Sequence, residues 1–84
     1  MYSVLLEKRA EKDLDALERS LRKKIVERLL LLRGNPRPAG SKKLSGPAVA
    51  WRLRIGDFRI LYEINDKSRE VRVYRVKHRS KVYQ

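Results

Sequence analysis

The sequence predicts an α+β domain: a small antiparallel β-sheet with an N-terminal helical hairpin packed on one face, in the order β-α-α-β-β-β. Three observations predict it. Before Gly34 the apolar residues recur at helical spacing. After Ala50 they alternate with charged residues, as half-buried strands require. The stretch WRLRIGDFRILYEI at 51–64 holds two such runs joined by Gly56-Asp57, which reads as a β-hairpin whose leading glycine suits a type II′ turn.

Taken in order, residues 2–6 are a short β-branched and aromatic run and form a first strand. From about residue 8 the period changes, and Ala10, Leu14, Leu17 and Leu21 mark the buried side of a helix. Ser20 offers a break and an N-cap for a second helix over about 21–33, whose stripe is Ile25, Val26, Leu29, Leu30 and Leu32. Gly34-Asn35-Pro36 ends it. Residues 35–50 carry loop chemistry in Pro36, Pro38, Gly40, Ser41, Gly46 and Pro47, with Leu44 pinning the loop to the core. In the hairpin, Ile55 faces Phe58, Arg54 faces Arg59, Leu53 faces Ile60 and Arg52 faces Leu61. Trp51, Leu53, Ile55, Phe58, Ile60, Tyr62 and Ile64 then share the core face, and Arg52, Arg54 and Arg59 share the other. A turn at 65–68 leads to a last strand over 71–76, which sets Tyr62 opposite Val73 and Glu63 opposite Arg72, and puts Tyr74 and Val76 on the arginine face. The tail KHRSKVYQ is basic.

Length and composition bound the rest. The 84 residues make a single domain over 1–84, with a small core and little margin in stability. There is no cysteine, so no disulfide framework or thiolate metal site holds it together, which suits a cytoplasmic location. Glu7, Lys8 and Arg9 interrupt any signal peptide, and the run at 29–32 is too short to span a membrane. Net charge is +12, from 22 basic against 10 acidic residues, and points to a polyanion as partner. The charge is uneven: no Asp or Glu occurs between Arg28 and Gly56, whereas Arg33, Arg37, Lys42, Lys43, Arg52 and Arg54 fall there.

One histidine and scattered carboxylates cannot build a zinc site or a two-metal centre. No glycine-rich phosphate loop and no nucleophile motif occurs. What remains is Arg52, Arg54 and Arg59 on one sheet face, followed by His78, Arg79 and Tyr83. Like charges directly opposite on a sheet are destabilising, and an external anion relieves them. Arginine forks bind phosphate bidentately, while histidine and tyrosine can move a proton. This equipment suffices for metal-free RNA cleavage, in which a 2′-hydroxyl attacks its own phosphate and arginines stabilise the phosphorane.

The motifs KRAEKDL at 8–14, NPRP at 35–38, KKLSG at 42–46, the hairpin at 51–64 and VKHRSKVY at 76–83 together resemble the RelE/ParE superfamily of toxins from bacterial and archaeal type II toxin–antitoxin pairs. The resemblance runs essentially end to end. The branch it is most similar to is RelE, whose members cut messenger RNA in the ribosomal A site without a metal or cofactor. By that resemblance Arg52, Arg54, Arg59, Arg79 and Tyr83 occupy functional positions, with His78 beside them. The basic residues Arg33, Arg37, Lys42, Lys43, Lys77 and Lys81 are then RNA contacts. The implied partners are the ribosome and its message, a cognate acidic antitoxin, and operator DNA through that antitoxin. One departure matters: RelE has lysines where this chain has Arg52 and Arg54. Arginine cannot accept a proton. Either His78 takes that role, or cleavage is slow, or ribosomal RNA supplies the group. A ParE-like gyrase inhibitor and a catalytically weak RNA-binding relic are the competing expectations.

Overall fold

The computed structural model describes residues 1–44 and 50–81. The chain runs β1 (Ser3–Leu6), α1 (Lys8–Asp15), α2 (Arg19–Leu31), β2 (Ser41–Lys43), β3 (Ala50–Ile55), β4 (Phe58–Asn65) and β5 (Glu70–His78), then a 3-10 turn at Arg79–Lys81. The strands form one sheet in the order β1-β5-β4-β3-β2. The expected α+β plan of a helical hairpin on one sheet face is present, with two differences. A strand forms at Ser41–Lys43, and β1 lies parallel to β5, so the sheet is mixed. β1, at one edge of the sheet, runs the same way as its interior neighbour β5, and β2 forms the other edge. Residues 41–43, Ser-Lys-Lys, have no apolar alternation that would mark them as a strand.

The central hairpin has the expected register, with Ile55 opposite Phe58, Arg54 opposite Arg59 and Leu53 opposite Ile60. Gly56 has φ +58°, and Asp57 is not among the residues with positive φ, as a type II′ turn requires. The core sits between the helices and the pleat that carries Leu53, Ile60, Tyr62, Val73 and Val76, all buried. From the helices come Ala10, Leu14, Ile25 and Leu29, joined by Leu32. Trp51 and Phe58 are only partly buried against it. The stripe of α2 is narrower than its composition implies, since Val26 and Leu30 remain 37% and 50% exposed. Its cap also differs. The helix starts two residues early, and the Glu18 carboxylate, rather than Ser20, accepts the Ser20 N–H (3.1 Å).

The loop before β2 is fastened by side chains. Arg37 N–H donates to Asn35 Oδ1 (3.1 Å), and the buried Tyr62 hydroxyl donates to the Pro36 carbonyl (2.8 Å). This hydroxyl pins the loop, while Leu44 contributes a backbone N–H to the Ala50 carbonyl (2.9 Å). The expected turn at Gly46 and Pro47 lies outside the described residues. No helix among the described residues is long and apolar enough to cross a membrane.

One expectation for β5 is overturned. Tyr62 faces Val73 and Glu63 faces Arg72, but a bulge between Leu61 and Tyr62 then shifts the register, so that Leu61 faces Arg75 and Ile60 faces Val76. Tyr74 is the extra residue. Val76 is consequently on the core pleat, 4% exposed, instead of the arginine face. A bulge leaves ladder groups without strand partners. Here α1 supplies one: Asp13 Oδ2 accepts the Val76 N–H (2.8 Å) and Arg75 Nε (2.8 Å), and Oδ1 accepts a second Arg75 nitrogen (3.3 Å). The spacing Val71, Val73, Val76 is the one sequence mark of this break, because an unbroken strand would alternate throughout.

Burial opposes ionisation of Asp13, yet the hydrogen bonds from Arg75 and Val76 and the charges of Arg75 and Arg9 outweigh it and hold its carboxyl below the ordinary value of 3.8. A lowered folded pKa contributes stability that is present above the unfolded pKa and lost as pH falls through the folded one. Asp13→Asn should therefore cost about 1.5–3 kcal/mol at neutral pH, the range for hydrogen bonds to a charged group. Urea unfolding across pH checks this. The gap to the unsubstituted protein should stay constant down to about pH 5 and close below the ordinary carboxylate pKa. A gap that is the same at acid and neutral pH would mean that Asp13 is not ionised in this role.

Candidate functional site

The strand register builds the site on the pleat that faces away from the helices. Arg54 pairs with Arg59, and Arg59 pairs with Lys77, so three cations stand in one row across β3, β4 and β5. The next row runs Lys42, Arg52, Leu61 and Arg75 across four strands. Directly paired residues have side chains about 5 Å apart. Alternation forces this crowding: burying Leu53, Ile55, Ile60 and Val76 turns Arg52, Arg54, Arg59 and Lys77 to the other side. The Arg59 guanidinium reaches toward the hairpin turn, donating to the carbonyls of Phe58 (3.1 Å) and Gly56 (3.3 Å). The Arg79 N–H donates to the Asp57 carbonyl (2.7 Å), which folds the 3-10 turn back beside that hairpin tip.

The other expected residues are distributed differently. His78 pairs with Phe58 and so belongs to the helix-side pleat. Its ring meets Phe58 edge to face (5.4 Å between centroids), and its Nδ1 lies 2.9 Å from Ser80 Oγ. Tyr83 lies outside the described residues. Arg37 is engaged with Asp66 (2.8 Å) and stands over the Trp51 ring (5.3 Å). Arg33 contacts the Met1 sulfur (3.7 Å) at the end of α2. Lys43 pairs with Trp51 and points to the helix side, whereas Lys81 is exposed in the 3-10 turn. Lys42 and Lys77 are thus the two lysines that join the arginines.

Sequence reasoning missed Arg75 and the surroundings of Tyr74. The bulge turns both side chains to the outer face, where they line a cavity of about 420 Å³ with Glu7, Lys8, Arg9 and Glu63. Burial, then the charges of Glu63 and Glu7, push the Tyr74 phenol up. A larger apolar cleft, about 600 Å³, lies on the helix side between α2 and the hairpin turn. Among the described residues no three metal-ligating side chains come together. The arrangement can hold phosphates along a strand-wide cationic track, and Lys77 is the one side chain of the Arg54 row that is not a guanidinium.

Comparison with known proteins agrees with this architecture. The family described as the ParE toxin of the parDE type II toxin–antitoxin system matches residues 4–83. A RelE1 toxin homologue of Methanocaldococcus jannaschii is 33% identical, with 98% of this chain and 94% of that protein aligned. The toxin chain of the RelBE2 toxin–antitoxin complex from Mycobacterium tuberculosis superposes with a TM-score of 0.82 at 30% identity, covering 92% of this chain and 96% of that one. The archaeal RelE–RelB complex of Pyrococcus horikoshii gives a TM-score of 0.83 at 27% identity, covering 96% and 98%.

If the two rows are an anion track, removing one phosphate-binding side chain should lower the salt slope of binding to single-stranded RNA by about 0.7. Arg54→Ala and Arg52→Ala should each show that drop in anisotropy titrations over a salt series. Lys43→Ala, on the opposite pleat, should leave the slope unchanged. Equal slopes for all three variants would remove the track from consideration.

Proposed function

Because the chain belongs to the RelE/ParE superfamily of toxins from type II toxin–antitoxin systems, we propose that it is a ribosome-dependent, metal-independent endoribonuclease that cuts messenger RNA and stops translation. The observation that carries this reading is the Arg54–Arg59–Lys77 row with Arg52 beside it. The 2′-hydroxyl of a bound nucleotide attacks the adjacent phosphorus, and the bond to the 5′-oxygen breaks. A 2′,3′-cyclic phosphate and a 5′-hydroxyl result, the 5′-oxygen taking back the proton that the 2′-hydroxyl gave to the base. Arg54 and Arg59 hold the two non-bridging oxygens, whose charge grows in the phosphorane, and Arg52 holds a neighbouring phosphate. The proton leaving the 2′-hydroxyl needs an acceptor, which guanidinium cannot be. Lys77 stands directly across from Arg59 and fills that role in place of the family's lysines. His78, on the other pleat, is a bystander in this scheme. Arg79, tethered to the hairpin tip, and Tyr83 are further contacts to the message.

The relatives were solved with RelB antitoxins, and for this chain the partner is an acidic antitoxin that covers the arginine face, through which the pair reaches operator DNA. The action takes place in the cytoplasm, where ribosomes are. The competing reading is a ParE-like gyrase inhibitor, favoured by the description of the matching family. It requires no phosphate-cleaving row.

Single-turnover cleavage of ribosome-bound message decides between them. Arg59→Ala should lose a factor on the order of 10²–10³, as removal of one transition-state donor does. Arg59→Lys should recover part of it, keeping charge but not the fork. Lys77→Arg should be as damaging as Lys77→Ala, because it keeps the charge and loses the base, whereas His78→Ala should cleave within a few-fold of the unsubstituted protein. Full growth arrest by Arg59→Ala, together with inhibition of gyrase supercoiling, would replace the nuclease by the gyrase reading.

A further inference from the structure

The last strand outruns its neighbour at the edge of the sheet. β1 pairs with residues 70–73 and stops, the seam closing where the Glu7 N–H donates to the Val73 carbonyl (2.9 Å). β5 continues to His78, still paired with β4 on its other side. On the side that β1 has left, the strand meets Asp13 of α1. Asp13 Oδ2 accepts both the Val76 N–H and Arg75 Nε at 2.8 Å, and Oδ1 accepts a second Arg75 nitrogen at 3.3 Å. A single carboxylate therefore grips the backbone next to Lys77 and, at the same time, the guanidinium before it.

The two grips act on different parts of the outer face. Arg52, Arg54 and Arg59 sit on β3 and β4, whose register is set by their own hairpin turn. Lys77 is the member of the cationic row carried by β5. A proton acceptor has to stay within hydrogen-bond reach of the proton it takes, and a misplacement of about 1 Å costs on the order of 10²-fold in rate. The Val76 bond holds the backbone one residue from Lys77. It therefore bears on proton transfer and leaves phosphate binding to the arginines.

The Arg75 bond has the opposite effect. Arg75 stands in the row of Lys42, Arg52 and Leu61, two strands and about 10 Å from Arg52. Phosphate and carboxylate fill the same guanidinium fork. Asp13 thus takes the donors that a phosphate of RNA would use, in the less exposed of the two ion pairs among the described residues. A phosphate seated on Arg75 would draw the message one row away from Arg59 and Lys77. Occupying Arg75 keeps the message on the cleaving row.

We propose that Asp13 is a positioning residue of the cleavage site, which holds Lys77 opposite Arg59 through the Val76 backbone and keeps Arg75 off the phosphate track. The proposal rests on the nuclease reading of the Arg54–Arg59–Lys77 row. It adds to that reading a helix carboxylate whose loss drives RNA binding and RNA cleavage in opposite directions.

The test uses the full chain in two measurements. One is single-turnover cleavage of ribosome-bound message at saturating protein, and the other is anisotropy of labelled 2′-O-methyl oligouridine, which cannot be cleaved, over a salt series. Asp13→Ala should lower the cleavage rate about tenfold to a hundredfold. It should also steepen the salt slope of binding by about 0.7, the contribution of one added phosphate contact on a single strand. The double variant Asp13→Ala/Arg75→Gln should return to the unsubstituted slope and stay slow. Asp13→Asn, which keeps an oxygen for the Val76 N–H, should gain the same slope and lose less rate, and it carries the test where Asp13→Ala does not fold. Partial unfolding cannot mimic this pattern, because it lowers binding and cleavage together without changing the slope. An unchanged slope, or a rate that falls only in proportion to binding, overturns the proposal and reduces Asp13 to a structural clip. An unsubstituted protein that leaves ribosome-bound message intact overturns the nuclease reading and the role of Lys77 with it, and the slopes then decide whether Asp13 withholds Arg75.

Discussion

A single carboxylate decides which way the last strand faces. Asp13 meets the backbone where β5 breaks its ladder, accepting the Val76 N–H and two nitrogens of Arg75 in a setting where the side chains keep 18% and 22% exposure. Without an acceptor there, the bulge would leave a partly buried N–H unpaired, a cost comparable to that of a missing hydrogen bond. With it, one residue can be looped out of register. Everything beyond Val73 is shifted by that residue. Val76 enters the core, Lys77 comes to stand across from Arg59, and Tyr74 and Arg75 turn outward together. The helix hairpin thus does more than cover the sheet, since its first helix holds the register that sets Lys77 across from Arg59.

The two faces of the sheet divide the energetics. The apolar pleat, with Leu53, Ile60, Tyr62, Val71 and Val73 almost wholly removed from water, supplies the stabilising burial available to a chain this short. The outer pleat works against it, because adjacent like charges repel. Of the two ion pairs among the described residues, Arg37–Asp66 is substantially exposed and contributes little, and Arg75–Asp13 is engaged at the bulge. The Arg54–Arg59–Lys77 row sets three cations directly opposite one another. A sheet face that local rules would fill with mixed charges is left strongly positive, and such departures mark where a sequence answers to something other than folding.

How much of this was legible depended on how strong the local signal was. The hairpin at 51–64 could be registered residue by residue, because the alternation is unbroken and a two-residue Gly-Asp turn fixes the pairing. Both helices and the opposition of Arg54 and Arg59 followed in the same way. The strand Ser41–Lys43 was not legible, since three polar residues at a sheet edge carry no period. The bulge left only a faint trace in the spacing of Val73 and Val76. Through it the reading lost the pleat of Val76 and the outward turn of Arg75. It also missed that Lys77, not His78, continues the cationic row. The Glu18 cap was missed because a glutamate can take a role that serine and aspartate fill more often.

The parallel pairing of β1 with β5 joins the first strand of the chain to the last. During synthesis the N-terminal strand leaves the ribosome long before its neighbour exists, and α1 presents Asp13 to a bulge not yet made. Contacts so distant in sequence form late, after the loop between them has been closed. The central hairpin can pair as soon as it emerges, but the edge of the sheet and the row that ends in Lys77 wait for β5. A nascent chain that stops short of that strand therefore carries the arginines without the framework that aligns them. For a protein whose proposed target is the machine that makes it, completeness of the polypeptide is itself a safeguard.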